Sequence, residues 1–245
     1  MTSTSIMATQ LRTIFVTGAN QGLGMHTVHQ LAQKKNILVF MGSRKISNAE
    51  AAVAKFAADI HPSSTVVPVQ LDLTDDNSIL SAATTVKETL RQKCVVGLDV
   101  IVNNAGAADG FRQTYAVNVI GTAALTTALR PMMNNGGAIV NISSRLGSLT
   151  WHTERPVPPS LQYHPAYSSS KAALNQLTLV WAIEEEQKGS GIRVVAVCPG
   201  FNATSLNGYM GTASPAEGCK IIVETVLATE GKSGAFFNKH GPIDW

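Results

Sequence analysis

The chain has 245 residues, of which 44% are hydrophobic and only 14% are charged. This length is typical of one α/β domain, and the apolar share suits a parallel sheet that is covered by helices on both faces. The formal net charge of +3 is too small to indicate a nucleic-acid partner or an anionic membrane surface.

The cysteine content and the N-terminus favour a cytoplasmic location. The three cysteines form no Cys-x-x-Cys pair, and an odd number cannot pair completely within one chain. Thiols of this kind are usual in a reducing compartment. The first residues lack the basic start and long apolar run of a secretory signal, and no apolar stretch approaches the ~20 residues that span a bilayer. We therefore expect no membrane partner.

Short apolar runs alternate along the chain with longer segments of helical periodicity. The runs are continuously apolar, as in strands that are buried on both faces. Strands are predicted at Thr13–Thr17, Ile37–Met41, Thr65–Gln70, Leu98–Val102, Ala138–Ile142, Ile192–Val197 and Ala235–Phe237. Helices are predicted at Gly22–Lys34, Ser47–Ile60, Asp75–Gln92, Phe111–Met133, Pro165–Lys188 and Pro215–Thr229. The alternation predicts a single α/β domain over residues 1–245, with a doubly wound parallel sheet of about seven strands and helices on both faces.

A proline-rich segment, residues 151–163, lies between the fifth predicted strand and the next helix. We interpret it as the rim of a site rather than a domain boundary, because loops at this position carry function more often than they divide domains. His152 and His164 lie in or beside this segment. Their spacing fits no short-loop or helical ligand pair, so no metal site is predicted.

The first strand leads into a glycine-rich turn, Thr17–Gly24, and a helix follows it. Glycines in such a turn let backbone N–H groups approach a phosphate, and the helix N-terminus adds a partial positive charge. Many glycine turns bind nothing, but this one lies at the first crossover of an α/β chain, where ligands bind. The turn therefore predicts a dinucleotide site.

The end of the second strand reads Gly42-Ser43-Arg44-Lys45. A carboxylate at this place would bond a ribose 2′-hydroxyl and repel a 2′-phosphate, and none is present. Arg44 and Lys45 can pair with the phosphate, although two solvated bases in a loop are also common. We therefore expect NADP(H) rather than NAD(H).

The third strand ends at Asp72 and Leu73. Asp72 could accept a hydrogen bond from an adenine amino group, with the backbone of Leu73 contributing. The alternative is an N-cap for the next helix, a role for which Thr74 or Asp75 is better placed.

Polar segments follow the fourth and fifth strands and open the helix after them. They are Asn103–Gly106, Asn141–Ser144 and Tyr167–Lys171. Tyr167 and Lys171 share one helix face, and an ammonium beside a phenol lowers the phenol pKa, which makes the phenol a usable general acid. A serine hydroxyl opposite the phenol can polarise a carbonyl oxygen. Together these segments predict a catalytic site for carbonyl chemistry.

Over nearly its whole length the chain resembles the short-chain dehydrogenase/reductases, which have a Rossmann-type fold. Within that family it looks most like the small carbonyl-reductase-like members. The matching segments are Thr17–Gly24, Asp72, Asn103–Gly106, Val117–Val119, Ser143 and Ser144, Tyr167–Lys171, Pro199 and Gly200, and Thr204.

The resemblance implies a role for each of four catalytic residues. Tyr167 donates a proton to the substrate carbonyl oxygen while the nicotinamide hydride attacks the carbonyl carbon. Lys171 lowers the pKa of Tyr167 and bonds the nicotinamide ribose. Ser144 holds the substrate oxygen, and Asn118 keeps a water in a proton relay behind Lys171.

The motifs and the resemblance together predict how the chain contacts NADP(H). The predicted contacts are Gly18, Asn20, Gln21, Gly22, Leu23, Gly24, Ser43, Arg44, Lys45, Asp72, Leu73, Asn104, Ala105, Gly106, Tyr167, Lys171, Pro199, Gly200 and Thr204. The segment 202–214 is expected to form a short lid. The aromatic residues expected to border an open pocket for a bulky, flat or apolar substrate are Trp151, Tyr163, Phe201 and Tyr209.

The chain departs from the family pattern in two places. The connection from Gly106 to Asn118 is markedly shorter than is usual in the family, which removes material beside the substrate pocket. The segment between Ser144 and Tyr167 is longer than in most members. In some carbonyl-reductase-like members an insertion here covers the usual interface helix, so a monomer is favoured, with a dimer or tetramer as alternatives.

The reading that unites these features is an NADPH-dependent oxidoreductase that reduces a ketone or aldehyde, or oxidises the alcohol. One alternative is a biosynthetic enzyme on the same fold with a non-redox or coupled net reaction, such as a cyclase or dehydratase. The other is a non-catalytic protein that binds NADPH. Such proteins commonly lose the tyrosine or lysine, and both are present here at Tyr167 and Lys171.

Overall fold

The computed structural model describes residues 11–154 and 164–245. Residues 155–163 of the predicted rim segment, including the proposed substrate residue Tyr163, lie outside the described residues. Within the described ranges, none of the helices is both long enough and apolar enough to cross a membrane.

The centre of the structure is one sheet whose strands are ordered β3-β2-β1-β4-β5-β6-β7-β8. The strands are β1 (Arg12–Val16), β2 (Ile37–Ser43), β3 (Thr65–Gln70), β4 (Leu98–Asn103), β5 (Met133–Ile142), β6 (Arg193–Val197), β7 (Ala235–Asn238) and β8 (Gly241–Pro242). Strands β1 to β7 pair in parallel, which confirms the predicted doubly wound arrangement. The two-residue β8 pairs antiparallel with β7, an addition that the sequence did not reveal.

Helices cover both faces of this sheet. They are α1 (Gly22–Ala32), α2 (Ile46–Ala54), α3 (Asp76–Gln92), α4 (Gly110–Tyr115), α5 (Thr122–Leu129), α6 (Leu149–Glu154), α7 (Pro165–Lys188), α8 (Pro215–Gly218) and α9 (Lys220–Leu227). Side chains alternate along a strand, so Ile14 and Val16 of β1 pack under α1, α2 and α9, while Phe15 between them packs under α3 and α5. Trp181 and Ala182 of α7 pack with Ile139 of β5 and Val194 of β6.

The prediction of one continuous helix over Phe111–Met133 is wrong. The chain forms α4, a π-helical turn at Ala116–Gly121, α5, and a 3-10 turn at Arg130–Met132. At the π turn, Gly121 lies directly against the carbonyl of Leu73, where a side chain would not fit. Helical periodicity does not register either a one-residue expansion of the helix or a contact of this kind.

Other predicted boundaries shift for local reasons. Strand β5 begins at Met133 rather than Ala138, because Met133 pairs with Leu98 of β4 ahead of an irregularity in the register. The predicted helix Ser47–Ile60 ends at Ala54 and is followed by a 3-10 turn. The predicted helix Pro215–Thr229 is divided at Cys219 into α8 and α9.

A buried ion pair fastens the C-terminal half of α7 to the turn before β5. Arg130 donates from Nε to a carboxylate oxygen of Glu185 at 2.9 Å and from Nη1 to Glu184 at 2.7 Å. The Glu185 side chain is only 4% exposed. Burial opposes ionisation of this carboxyl group, but hydrogen bonds from Ser190, Arg130 and Lys188 outweigh burial and hold its pKa below the usual value.

We predict that Glu185→Gln lowers the free energy of unfolding at neutral pH by about 2 kcal/mol, because Arg130 loses its buried partner. The wild-type contribution is present above the unfolded-state pKa and is lost as the pH falls through the lower folded-state pKa. Urea unfolding from pH 7 down to about pH 2 should therefore show a shallower loss of stability in the variant. Glu186→Gln, one residue further along α7 and exposed, is the control. Equal pH slopes for Glu185→Gln and wild type would contradict the prediction.

Candidate active site

The glycine turn is locked against the end of β4. Asn104 donates from Nδ2 to the carbonyls of Thr17 and Gly18 at 2.8 and 3.2 Å. Gly18 has a φ of 59°, and a Cβ on it would lie 2.8 Å from the Cα of Ala105. A Cβ on Gly24 would lie 2.5 Å from Asn104 Nδ2. The turn therefore requires glycine at Gly18 for conformation and at Gly24 for close packing.

Helix α1 presents its N-terminus at this turn. Within the described residues no side chain caps the first turn of α1, and Gln21, at the N-cap position, donates instead to Ser205 at 3.0 Å. Uncapped N–H groups and the helix dipole make a site for an anion. An uncapped helix N-terminus at the end of a tight glycine turn fits the pyrophosphate of a dinucleotide.

The segment after β6 closes over the other side of the turn. Thr204 caps a 3-10 turn at Ser205–Asn207, and a Cβ on Gly22 would lie 3.4 Å from its methyl group. Pro199 is half-buried and Gly200 is exposed at the end of β6. The structure therefore brings the predicted cofactor residues of the first and sixth strands to one edge of the sheet.

The ends of β2 and β3 place charges beside each other. Arg44 and Lys45 are exposed, while Ser43 is buried and donates to the carbonyl of Lys45 at 3.0 Å. Asp72 accepts hydrogen bonds from the N–H and the hydroxyl of Thr74. The bond from the hydroxyl is the main cause of the lowered pKa of Asp72, and the charge of Arg44 adds to it. Helix α3 is capped by Asp75 instead, so the alternative that Asp72 caps this helix is wrong.

Three predicted catalytic side chains meet where β5 faces the start of α7. Lys171 is 3% exposed, donates from Nζ to the carbonyl of Ile142 at 2.7 Å and lies 5.6 Å from the centre of the Tyr167 ring. Tyr167 and Ser144 are hydrogen-bonded through their side chains. Ser144 Oγ also accepts from the N–H of Leu146 at 3.2 Å. A phenol, a hydroxyl and a buried amine therefore converge on one space.

The pKa of Tyr167 moves in the direction opposite to the one predicted. Burial, together with nearby Cys198, raises it to about 12, and the hydrogen bond with Ser144 offsets only part of this. Lys171 Nζ donates to a backbone carbonyl rather than to the phenol, and a lowering of the Tyr167 pKa by this amine stays a prediction. Burial lowers the pKa of Lys171 itself to about 8, with Cys198 acting weakly against that shift.

Asn118 lies at the centre of the π turn and is completely buried. Its side chain accepts from the N–H of Ala107 at 2.8 Å and donates to the carbonyl of Ala107 at 3.0 Å. It also donates to Ser170 at 2.9 Å, and Ser170 donates to the carbonyl of Tyr167 at 2.7 Å. Asn118 thus joins the short connection after Gly106 to the start of α7, and its role in a water relay stays a prediction.

Gly106 leaves open space above the buried amine. A Cβ on it would lie 3.7 Å from Asn118 Oδ1 and 4.0 Å from Lys171 Nζ. Gly106 itself is exposed, so this side of the lysine is the side that a ligand can approach. Leu73, in contrast, is 7% exposed and packs against Gly121 rather than facing open space.

The predicted substrate residues do not form one described pocket wall. Phe201 is 47% exposed and Tyr209 is 70% exposed, and Tyr209 has a φ of 64°. Trp151 is half-buried in α6 with its ring edge-on to His152. Among the described residues, no group of three or more His, Cys, Asp or Glu side chains is placed to hold a metal ion.

Sequence reasoning missed two buried residues beside the site. Cys198 accepts from the N–H of Arg145 at 3.4 Å, and Asn175 bonds the turn that carries Ser144. Asn175 follows Lys171 by one helical turn, a spacing that marks the same face. Cys198 directly precedes Pro199 and Gly200, so its position at a strand end was the available signal.

Comparisons with known proteins show the family of the chain. The family model of the short chain dehydrogenases matches residues 12–214. The chain is 32% identical over 242 residues to a short-chain dehydrogenase, anuI, of Penicillium roqueforti, covering 92% of each chain. It therefore belongs to the short-chain dehydrogenase/reductase family and is an NAD(P)-dependent oxidoreductase.

Two further relatives are carbonyl reductases. The chain is 27% identical to carbonyl reductase [NADPH] 1 of Macaca fascicularis, over 98% of this chain and 100% of that protein. A solved structure of NADPH-bound carbonyl reductase from chicken fatty liver is 30% identical, with a TM-score of 0.77 and coverage of 96% of this chain and 100% of that chain. The chain is thus a carbonyl-reductase-like member of the family.

We predict that the Lys171 amine of the free protein titrates near pH 8, because burial destabilises its charged form and releases the proton at lower pH. The measurement is an NMR titration of the lysine side chains labelled with ¹³C, in which Lys171→Met removes and so identifies the signal. Lys220, which is exposed and has a raised pKa through Glu217, is the internal control. A Lys171 signal that titrates together with Lys220 would show that the amine is not desolvated.

Proposed function

We propose that the protein uses NADPH to reduce a ketone or aldehyde to an alcohol, in a reversible reaction. The observation that carries this proposal is the convergence of Ser144, Tyr167 and Lys171 beside the glycine turn. These groups can hold a carbonyl oxygen and supply its proton. The alternative of a non-catalytic cofactor-binding protein would have no use for this arrangement.

NADP(H) would lie along the carboxyl edge of the sheet. The glycine turn and the N-terminus of α1 would take the pyrophosphate, and Arg44 and Lys45 the 2′-phosphate. Asp72 would accept from the adenine, and the segment from Pro199 to Thr204 would cover the nicotinamide. When bound, the cofactor supplies the hydride for the carbonyl carbon.

The side chains of the protein manage the substrate oxygen and its proton. Ser144 donates a hydrogen bond that orients and polarises the carbonyl, and Tyr167 gives its phenolic proton to the oxygen as negative charge develops there. The buried Lys171, with a pKa of about 8, carries its proton at neutral pH. Its charge would stabilise a phenolate that burial alone disfavours. Asn118 would keep a water in the relay behind Lys171 that returns a proton to the site.

The substrate that suits this site is bulky, flat or apolar. Phe201 and Tyr209 offer exposed aromatic surface on the segment after β6, and Trp151 lies on α6 beside the Ser144 turn. Aromatic rings of this kind bind flat apolar compounds well. Quinones, aromatic ketones and diketones are therefore the first compounds to test.

The test follows the loss of the absorbance of NADPH against a panel of quinones, aromatic ketones, diketones and aldehydes. With a substrate that turns over, Tyr167→Phe should lower kcat by ~100-fold or more, because the general acid is lost. The dissociation constant for NADPH should stay within about twofold, because the ring remains. Tyr115→Phe, a half-buried tyrosine on α4 that stacks with Phe111, is the control. Unchanged turnover in Tyr167→Phe would disprove the proposed mechanism.

If the panel shows no turnover while NADPH still binds, the proposal of a general carbonyl reductase is wrong. A biosynthetic enzyme with a narrow substrate and a coupled or non-redox net reaction would then be the better description. Both activities require the same cofactor edge, so cofactor binding alone does not separate them.

The cofactor preference has its own test. Arg44→Ala should weaken NADPH binding by about 10- to 100-fold, since a charge-assisted hydrogen bond is worth roughly 1.5–3 kcal/mol. NADH binding should change little, because NADH has no 2′-phosphate. Arg91→Ala, an exposed arginine in the last turn of α3, is the control. Equal losses for the two cofactors would refute the phosphate role of Arg44.

A further inference from the structure

One amide side chain joins the two ends of the turn that carries Ser144. Asn175 accepts from the hydroxyl of Ser143 at 2.6 Å through Oδ1, and donates to the carbonyl of Gly147 at 3.2 Å through Nδ2. Ser143 directly precedes Ser144, and Gly147 is the last residue of the short 3-10 turn that follows it. Both polar atoms of the Asn175 side chain therefore form hydrogen bonds with this turn.

The same amide belongs to the helix face that carries the proposed acid. Tyr167, Lys171 and Asn175 follow one another at intervals of four residues in α7, so they lie along one face. The turn also packs directly on this helix, because a Cβ on Gly147 would lie 2.7 Å from the carbonyl carbon of Lys171 and 2.9 Å from the N of Ala172. Ser144 is thus attached to the element that holds Tyr167 and Lys171.

Asn175 does not reach a substrate. It is 4% exposed, and Ser143, its partner, is 3% exposed. Any influence on the reaction must therefore pass through the position of the turn. A hydroxyl that serves a carbonyl oxygen needs accurate placement, and a displacement of about 1 Å can cost on the order of 100-fold in rate.

We propose that Asn175 is a positioning residue that holds Ser144 at its working distance from Tyr167 and Lys171. The proposal rests on the proposed function, in which Ser144 and Tyr167 serve the same oxygen. Without the amide, the Ser144 turn keeps its packing on α7. It loses both hydrogen bonds that fix its distance from the helix.

The simplest alternative is that Asn175 only stabilises the fold. Its neighbour Thr178 provides the comparison, because it is also completely buried on α7 and hydrogen-bonded to a strand residue. Thr178 accepts from Asn141 Nδ2 at 2.8 Å and donates to the carbonyl of Leu174 at 2.9 Å. Thr178→Val removes buried hydrogen bonds of the same helix without touching the Ser144 turn.

The experiment is a double-mutant cycle on kcat for the best substrate of the panel. Asn175→Leu, which keeps the volume and removes both bonds, should lower kcat by about 10- to 100-fold, with the NADPH dissociation constant within about twofold of wild type. In the Ser144→Ala background the same change should lower kcat by less than about twofold, because the group being positioned is gone. Ser143→Ala removes one of the two bonds and should show a smaller effect with the same dependence on Ser144.

Three results would overturn the proposal: equal losses from Asn175→Leu with and without Ser144, an equal loss from Thr178→Val, or a loss confined to NADPH binding. If Asn175→Leu does not fold, Ser143→Ala carries the cycle, and its additivity with Ser144→Ala has the same meaning. Failure of the proposed function is distinguished beforehand, because the panel would then show no turnover, or Tyr167→Phe and Ser144→Ala would leave kcat unchanged.

Discussion

The site depends on a close approach between helix α7 and the ends of the central strands. Lys171 can bury its amine only because the carbonyl of Ile142, the last residue of β5, is within reach as an acceptor. A buried amine without such a partner would cost more free energy than packing returns. Further along α7, Thr178 repeats the arrangement with Asn141. Hydrogen bonds between helix and strand ends thus hold the reactive face of α7 in register with the sheet.

The cofactor edge is built by a different constraint, which is the absence of side chains. Gly18 and Gly24 let the first turn lie against the end of β4, and Asn104 closes the contact by donating to the turn. Gly106 likewise has no side chain, which leaves the Lys171 amine approachable from outside. The polar side chains at the start of α7 and the glycines at the cofactor edge therefore border the space in which cofactor and substrate would meet.

Burial has opposite effects on the two titratable groups of the site. It raises the pKa of Tyr167 to about 12 and lowers that of Lys171 to about 8, since a charged form is disfavoured in each case. In the free protein the phenol pKa is therefore above its usual value despite the lysine four residues away.

The sequence by itself determined the order of strands and helices, the glycine turn, and the motifs that contain the proposed catalytic residues Ser144, Tyr167 and Lys171, because each depends on local periodicity or on a short motif. Only the tertiary structure decided where the long helix around Asn118 expands into a π turn, that Asp75 rather than Asp72 caps α3, and that Asn175 bonds the Ser144 turn. The π turn and the Asn175 contacts involve segments far apart in the chain, and the cap of α3 is a local choice among neighbouring acceptors. Periodicity and spacing carry no information about which backbone group a buried side chain will find.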